Sequence, residues 1–215
     1  MNNLRKFATE ADYSVATLNY PAVSWVVSGD TVHFDKTDPT PTPTNTKVKF
    51  AFTTDSCMGG KQYFLPYDSS EEFIQSMNSI TLNGEPLTPG GSGIEITLES
   101  NTSYLAEYDL KSGVTDVHGW FDKQCDAIGC SSASLSYDIL FPAQVTTIGS
   151  LNACTSNFIF ESTVPPGGSF SLSAGGFHIY VPDSAVNTYK NHEGFSSYAA
   201  NIYPISEYNG NIPID

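Results

Sequence analysis

Prolines alternate with other residues across Thr37-Asp38-Pro39-Thr40-Pro41-Thr42-Pro43-Thr44. Each proline removes a backbone donor and locks its own φ, so neither a helix nor the interior strand of a sheet passes through the run. It reads as extended polyproline II geometry, a semi-rigid spacer. A chain interrupted in this way is organised as separate pieces on either side. We read residues 1–36 as an N-terminal attachment or oligomerisation module and 37–46 as a Pro/Thr linker. Beyond them, 47–111 reads as a β-rich domain and 112–215 as a degenerate repeat and cap region. A spacer of this kind suits a protein that holds one module away from another.

The pieces are predicted to be mainly β. Only 15% of the 215 residues are charged while 13% are aromatic, and 17 glycines and 13 prolines punctuate the chain, which is the usage of turn-rich β-proteins. In the first module Thr9-Glu10-Ala11-Asp12 supplies an N-cap and an acid three residues on, predicting a short helix to about Thr17. Val23 to Val27 and Thr31 to Phe34, around Ser28-Gly29-Asp30, predict a hairpin. This helix-hairpin leader is too small to bury a sizeable core alone, so it is expected to dock on another surface. In the middle domain strands are predicted at Lys47–Thr53, Ile80–Leu82, Ile94–Leu98 and Tyr104–Leu110, and a short helix at Ser70–Met77. Turns at Asn83-Gly84-Glu85-Pro86 and Pro89-Gly90-Gly91-Ser92-Gly93 separate the strands, a pattern that fits a β-sandwich-like domain or a small meander.

From about Ser112 the texture changes. Gly113 to Phe121 and Ala143 to Leu151 align, pairing Val114 with Val145 and Val117 with Ile148 at an offset of 31 residues (145 − 114), a worn internal repeat. Two copies cannot bury their own faces, so they must borrow core from a flanking domain or a partner. Phe177–Val181 reads as a strand, Ser184–Lys190 as a helix after Pro182-Asp183, and Phe195, Tyr198, Ala199 and Ile202 as an apolar helical stripe. Tyr203-Pro204-Ile205 follows as a final extended piece.

Charge and motifs exclude more than they assign. With 9 basic residues against 23 acids the net charge is −14, which repels a phosphate backbone and argues against nucleic acid as a partner. No apolar stretch reaches membrane-spanning length, and the N-terminus lacks the apolar run of a secretion signal. Cys57, Cys125, Cys130 and Cys154 have no zinc-ligand spacing and read as mostly buried free thiols, with a Cys125–Cys130 disulfide the alternative that their spacing allows. His33, His118, His178 and His192 are scattered; His118 and His178 interrupt apolar strand patterns and read as half-buried, hydrogen-bonded side chains. There is no nucleophile elbow, P-loop or dinucleotide fingerprint, and Glu71-Glu72 sits where acids favour a helix start. We expect no enzyme activity, no cofactor and no metal. The better functional lead is aromatic: Tyr63, Phe64, Tyr67, Trp120 and Phe121 lie near turns, as candidates for stacking on a sugar or filling a partner pocket. Arg5, Lys6, Phe7 and Trp25 are the candidate attachment residues of the leader.

Phe141-Pro142-Ala143-Gln144-Val145-Thr146-Thr147-Ile148-Gly149, followed by Ala153-Cys154-Thr155-Ser156, resembles one repeat of the BspA-type leucine-rich repeat proteins. The family pattern is Pro-x-x-Val-Thr-x-Ile-Gly, then Ala-Phe and a Cys-Thr/Ser pair; here the Phe is missing and Asn152 replaces a small residue. Ile179-Tyr180-Val181-Pro182 through Tyr189-Lys190, with Ser196-Ser197-Tyr198-Ala199, is similar to the segment that closes such arrays. Leu4 to Tyr13, Tyr20 to Trp25 and Asp30 to Asp35 look like leaders of virion-associated proteins of Bacteroides phages, crAss-like phages included. The resemblance implies a non-enzymatic virion protein of the particle exterior, a head fibre, capsid decoration or tail fibre protein. Its implied partners are the phage capsid or other virion proteins, copies of itself, commonly as a trimer, and a host surface glycan. A secreted or surface-anchored bacterial adhesin of the BspA type is the alternative, and a small carbohydrate-active enzyme a third.

Overall fold

The computed structural model describes residues 3–7, 22–26, 31–35, 45–54, 56, 62–65, 75–88, 94–117, 137–149, 156–168 and 176–214. The chain divides into two compact units, Met1–Thr44 and Asn45–Asp215, and the division falls at the end of the proline run. The helix expected over Thr9–Thr17, the linker up to Thr44 and all four cysteines lie outside the described residues.

The first unit is a three-stranded sheet of β1 (Asn3–Phe7), β2 (Ala22–Val26) and β3 (Thr31–Asp35), with β2 in the centre. β2 and β3 pair antiparallel from Val26 opposite Thr31 to Ala22 opposite Asp35, which is the expected hairpin with its first strand moved back by one residue and its second extended by one. β1 runs parallel to β2, Asn3 beside Ala22. Its sequence, with Arg5 and Lys6 adjacent, lacks the alternation that announces a strand, so the pairing and not the pattern defines it.

The second unit is built on an eight-stranded sheet. Its antiparallel half comprises β4 (Lys47–Thr53), β6 (Met77–Leu82), β7 (Glu85–Pro86) and β9 (Ser103–Leu110). Its parallel half comprises β10 (Tyr137–Phe141), β11 (Ser156–Phe160), β12 (His178–Val181) and β13 (Ile202–Pro204). The strand order is β13-β12-β11-β10-β4-β9-β6-β7. β5 (Gln62–Leu65) and β8 (Ile94–Thr97) form their own antiparallel ladder. The halves join where β10 pairs antiparallel with β4, Ile139 opposite Phe50. The boundary expected at 111/112 therefore runs through a single sheet: the repeat region borrows its missing neighbour from β4, and 47–111 is no separate compact unit.

Local chemistry accounts for the turns. Asn83 and Gly84 both take positive φ, 51° and 86°, giving the two-residue turn whose twist suits the β6–β7 hairpin. Met77, expected to end a helix begun at Ser70, starts β6 instead. In the parallel half, Tyr137 pairs with Ser156, Asn157 with His178 and Ile179 with Ile202, so neighbouring strands lie about 20 residues apart in the chain. Two isolated parallel bridges link Asp116 to Thr147 and Thr147 to Gly167. Val114 N donates to Lys111 O (3.2 Å) and Val145 N to Pro142 O (2.9 Å), so the same turn forms at both positions of the offset of 31 residues (145 − 114). The apolar stripe read as one helix is instead a 3-10 segment, Ser196–Asn201, leading into β13; before it, α1 (Val186–Asn191) follows a 3-10 turn at Asp183–Ala185.

One face of the sheet carries the main core. Val48, Phe50 and Phe52 of β4, Ala106, Tyr108 and Leu110 of β9, Ile139 and Phe141 of β10, Phe158 and Phe160 of β11, and Ile179 and Val181 of β12 all point into it. Each large side chain so buried contributes about 1.5–3 kcal/mol. Ile96 and Leu98 enter the same core from and beside β8. Phe141 stacks on Phe160 (5.2 Å), which meets Phe195 edge-on (5.7 Å), tying the helical segment to the strands. The sheet edges carry Pro86 on β7 and Pro204 on β13, residues that cannot donate to a further strand. Among the described residues no helix is long and apolar enough to cross a membrane.

Candidate functional site

The opposite, outer face of the parallel strands concentrates the polar and aromatic chemistry of the second unit. Strand alternation puts Asp138 and Leu140 of β10, Asn157 and Ile159 of β11, His178 and Tyr180 of β12 and Tyr203 of β13 on this side. After a 3-10 turn at Ile205–Glu207, the C-terminal residues Tyr208 to Pro213 cross the same face as a strap. Ile212, 3% exposed, fills an apolar cluster with Ala51, Leu140 and Ile159.

Asp138 anchors the strap. It is 4% exposed, and such a carboxylate requires donors. Asn157 Nδ2 donates to its Oδ1 (2.7 Å), while the Tyr208 hydroxyl (2.5 Å) and the Asn211 backbone N–H (3.0 Å) donate to its Oδ2. The Tyr208 oxygen in turn accepts the Ile212 N–H (3.0 Å), and Lys49 Nζ donates to the Pro213 carbonyl (3.0 Å). Burial, reinforced by the bond to Asp138, pushes the Tyr208 phenol far above the usual tyrosine value. Gly210 is required by space: a Cβ there would overlap the Asp138 carboxylate and the Tyr208 ring.

Beside this anchor runs a row of rings. Tyr180 and Tyr203 are register partners on β12 and β13 with centroids 6.0 Å apart. The His178 ring lies 5.3 Å from Tyr203, and Tyr180 meets Tyr208 edge-on at 5.2 Å. His178 is exposed and the tyrosines are partly so, which corrects the expectation that His178 is half-buried and hydrogen-bonded. Its strand is short and next to the sheet edge, so nothing covers the outward position. Burial first, then the neighbouring Tyr203, Asp138 and Glu207, raises Tyr180 above the ordinary tyrosine value. Asp183 accepts the Ser206 N–H (3.2 Å), and this bonding to Ser206 holds its carboxyl below the usual aspartate value, so it stays ionised.

The residues singled out from sequence fall elsewhere. Tyr63 and Phe64 are on β5, while Tyr67, Trp120 and Phe121 lie outside the described residues. Arg5, Lys6 and Phe7 are on β1 and Trp25 on β2, where Lys6 and Trp25 are register partners. The structure thus brings together two of the four candidate attachment positions as direct neighbours. What the sequence reading passed over is the outer row, although His-Ile-Tyr-Val of β12 alternates cleanly and would have placed His178 and Tyr180 on one face. Among the described residues no group of three or more metal-ligating side chains gathers. Comparison with known protein families, with curated proteins and with solved structures finds no match.

Proposed function

We propose that this chain is a non-enzymatic structural protein of a phage particle exterior, a head fibre or capsid decoration protein. The first unit attaches it to the particle or to copies of itself, and the second is presented outward, toward host surface glycans. The observation that carries the reading is the division of the chain at Thr44/Asn45 into a small strand unit and a larger unit with its own core. The resemblance of that module to phage leaders supplies the particular setting.

The test is light scattering on the full chain and on a chain beginning at Asn45. A stable oligomer that becomes monomeric on truncation supports attachment and assembly through the first unit, with a trimer the expected mass. Two monomers would remove self-assembly from the reading.

A second reading, an adhesin of the BspA type, is favoured by a separate observation. Parallel strands about 20 residues apart, with isolated parallel bridges from Asp116 to Thr147 and Thr147 to Gly167, stack as the coils of a solenoid do, and such arrays serve as extended binding surfaces. A natural reading frame extended by a secretion or lipoprotein signal would decide for it.

A further inference from the structure

The rings on the outer face of β12 and β13 are not needed for the core. Ile179, Val181 and Ile202, on the same strands, face inward and are 0%, 0% and 1% exposed. The outward positions beside them would ordinarily hold small polar or charged residues. They hold His178, Tyr180 and Tyr203 instead, with Tyr208 fixed next to them by Asp138. Cross-strand aromatic pairs stabilise a sheet by about 0.2–1 kcal/mol, which accounts for one such pair and not for a row ending in an exposed histidine.

The rim of this row is acidic. Asp183 follows β12 and Glu207 follows β13, both exposed, and among the described residues neither forms an ion pair. Glu207 is close enough to act on the Tyr180 phenol. The whole chain carries a net charge of −14, so the surface repels anions. Ring faces attract cations through their quadrupole, and a guanidinium lying on a ring still has donors free for a carboxylate beside it. Pro204 leaves the three-residue β13 edge without a donor at that position, which disfavours adding a strand there, while the ring face offers side-chain contacts.

We infer that the face formed by His178, Tyr180 and Tyr203 and rimmed by Asp183 and Glu207 docks an arginine- or lysine-bearing segment of a partner protein. The argument is one of charge complementarity between a basic segment and an aromatic, acidic face, and it does not depend on the virion reading above. A virion component, a host surface protein or another basic partner would meet the same chemistry.

The experiment is calorimetric titration of the full chain with a short synthetic peptide alternating Arg and Gly, at low and at high salt. The same peptide with Glu in place of Arg and a neutral maltooligosaccharide serve as comparators. The expected result is binding of the Arg peptide alone, weakened by salt. Tyr203→Ala weakens it about two- to fivefold while Tyr203→Phe retains it. Glu207→Gln weakens it and flattens the salt dependence, whereas Glu85→Gln, on β7 at the far edge of the sheet, leaves it unchanged. His178→Ala, which alters an exposed side chain, provides the same test if Tyr203→Ala does not fold, with a smaller loss expected in the same direction. The inference is overturned if no Arg peptide binds, or if the ring variants bind as the parent does. It is equally overturned if Glu85→Gln loses as much as Glu207→Gln, which would mean diffuse attraction to an acidic protein, or if the saccharide takes the Tyr203-dependent site in place of the peptide.

Discussion

On β9, in the antiparallel half of the sheet, every second residue is buried and those between are exposed or half-exposed; on β10, in the parallel half, all five residues are buried. The inner faces of the two strands enter the same core, so the difference lies wholly on the outer side. Outside the antiparallel half, beyond Lys49 and Ala51 of the joining strand β4 that the strap also covers, the pairing is ordinary surface chemistry, Lys47 with Glu107 and the Thr53 hydroxyl with that of Ser103. Outside the parallel half a strap is laid down, an aspartate is buried and rings are set side by side. Alternation with a wet outer face is what an antiparallel sheet adopts when nothing is asked of it. Covering the other half demands partners for every buried polar group, and the chain supplies them from its last residues.

The comparison breaks first if the halves prove to be separate folding units. Phe52 in the antiparallel half and Phe160 in the parallel half are 1% and 2% exposed in one continuous core. Phe52→Ala and Phe160→Ala are each expected to cost about 3–5 kcal/mol, and each should shift one common transition of the Asn45–Asp215 unit. Urea unfolding followed by near-ultraviolet circular dichroism and by fluorescence measures this. Two transitions, each sensitive to one substitution, would mean that the β4–β10 pairing does not couple the halves.

The strap sharpens it. Asp138→Ala leaves the Asn157 amide, the Tyr208 hydroxyl and the Asn211 N–H without their acceptor, at a cost of about 2–4 kcal/mol, since the released strap regains water. Amide exchange should then accelerate at Asn211 and Ile212 and stay unchanged on β9. Gly210→Ala forces the same strap outward without removing any partner, and overpacking of this kind costs about 1–3 kcal/mol. If exchange at Ile212 is as fast in the parent as in either variant, the strap is not held as described.

How much of this the sequence displayed depends on where each signal resides. The strand at Lys47–Thr53 and the Asn83-Gly84 turn were legible because local alternation and positive-φ residues encode them directly. β10 and β11 were not: Tyr-Asp-Ile-Leu-Phe is buried on both faces, and Phe158, Ile159 and Phe160 are all buried in turn, so the alternation that signals a strand is filled in. The same filling hid Asp138, whose partners lie 19, 70 and 73 residues away. The join between β4 and β10 is likewise non-local, which is why a texture change near Ser112 suggested a boundary where the sheet has none. The ring row was half legible: β12 shows its alternation, while the match of Tyr180 with Tyr203 belongs to the register alone.

The outer face should also respond to alkali through Tyr208, as the core does through Tyr189. Tyr208 is raised above its ordinary value of 10.0 by burial and by Asp138, and Tyr189 above the same value by burial in the core. In the unfolded chain both ionise near 10.0, while in the folded protein they keep their protons. The folded state therefore binds more protons, and stability is intact below that pH and falls as pH rises through it. The loss is at most about 1.4 kcal/mol per pH unit for Tyr189, and less for the more solvated Tyr208. Tyr208→Phe should shallow the decline measured by urea unfolding between neutral and alkaline pH; an unchanged slope would show that the phenol is already exposed to water.

The smallest effect is expected in the antiparallel half, at a contact that looks better than it is. Lys47 Nζ and Glu107 Oε2 are 3.0 Å apart, as short as the bond from Lys49 to the strap, yet their side chains are 42% and 21% exposed. Water screens the pair and both side chains lose rotamer freedom in making it, so Glu107→Ala should cost no more than about 0.5 kcal/mol. Asp138→Ala removes the same kind of group from the same sheet at several times that cost, because the Asp138 carboxylate has been taken out of water with three donors on it and that of Glu107 has not. Measuring both variants in one set of urea curves tests whether burial, and not distance, separates the two outer faces. Equal losses would mean that the covered face is no more committed than the open one.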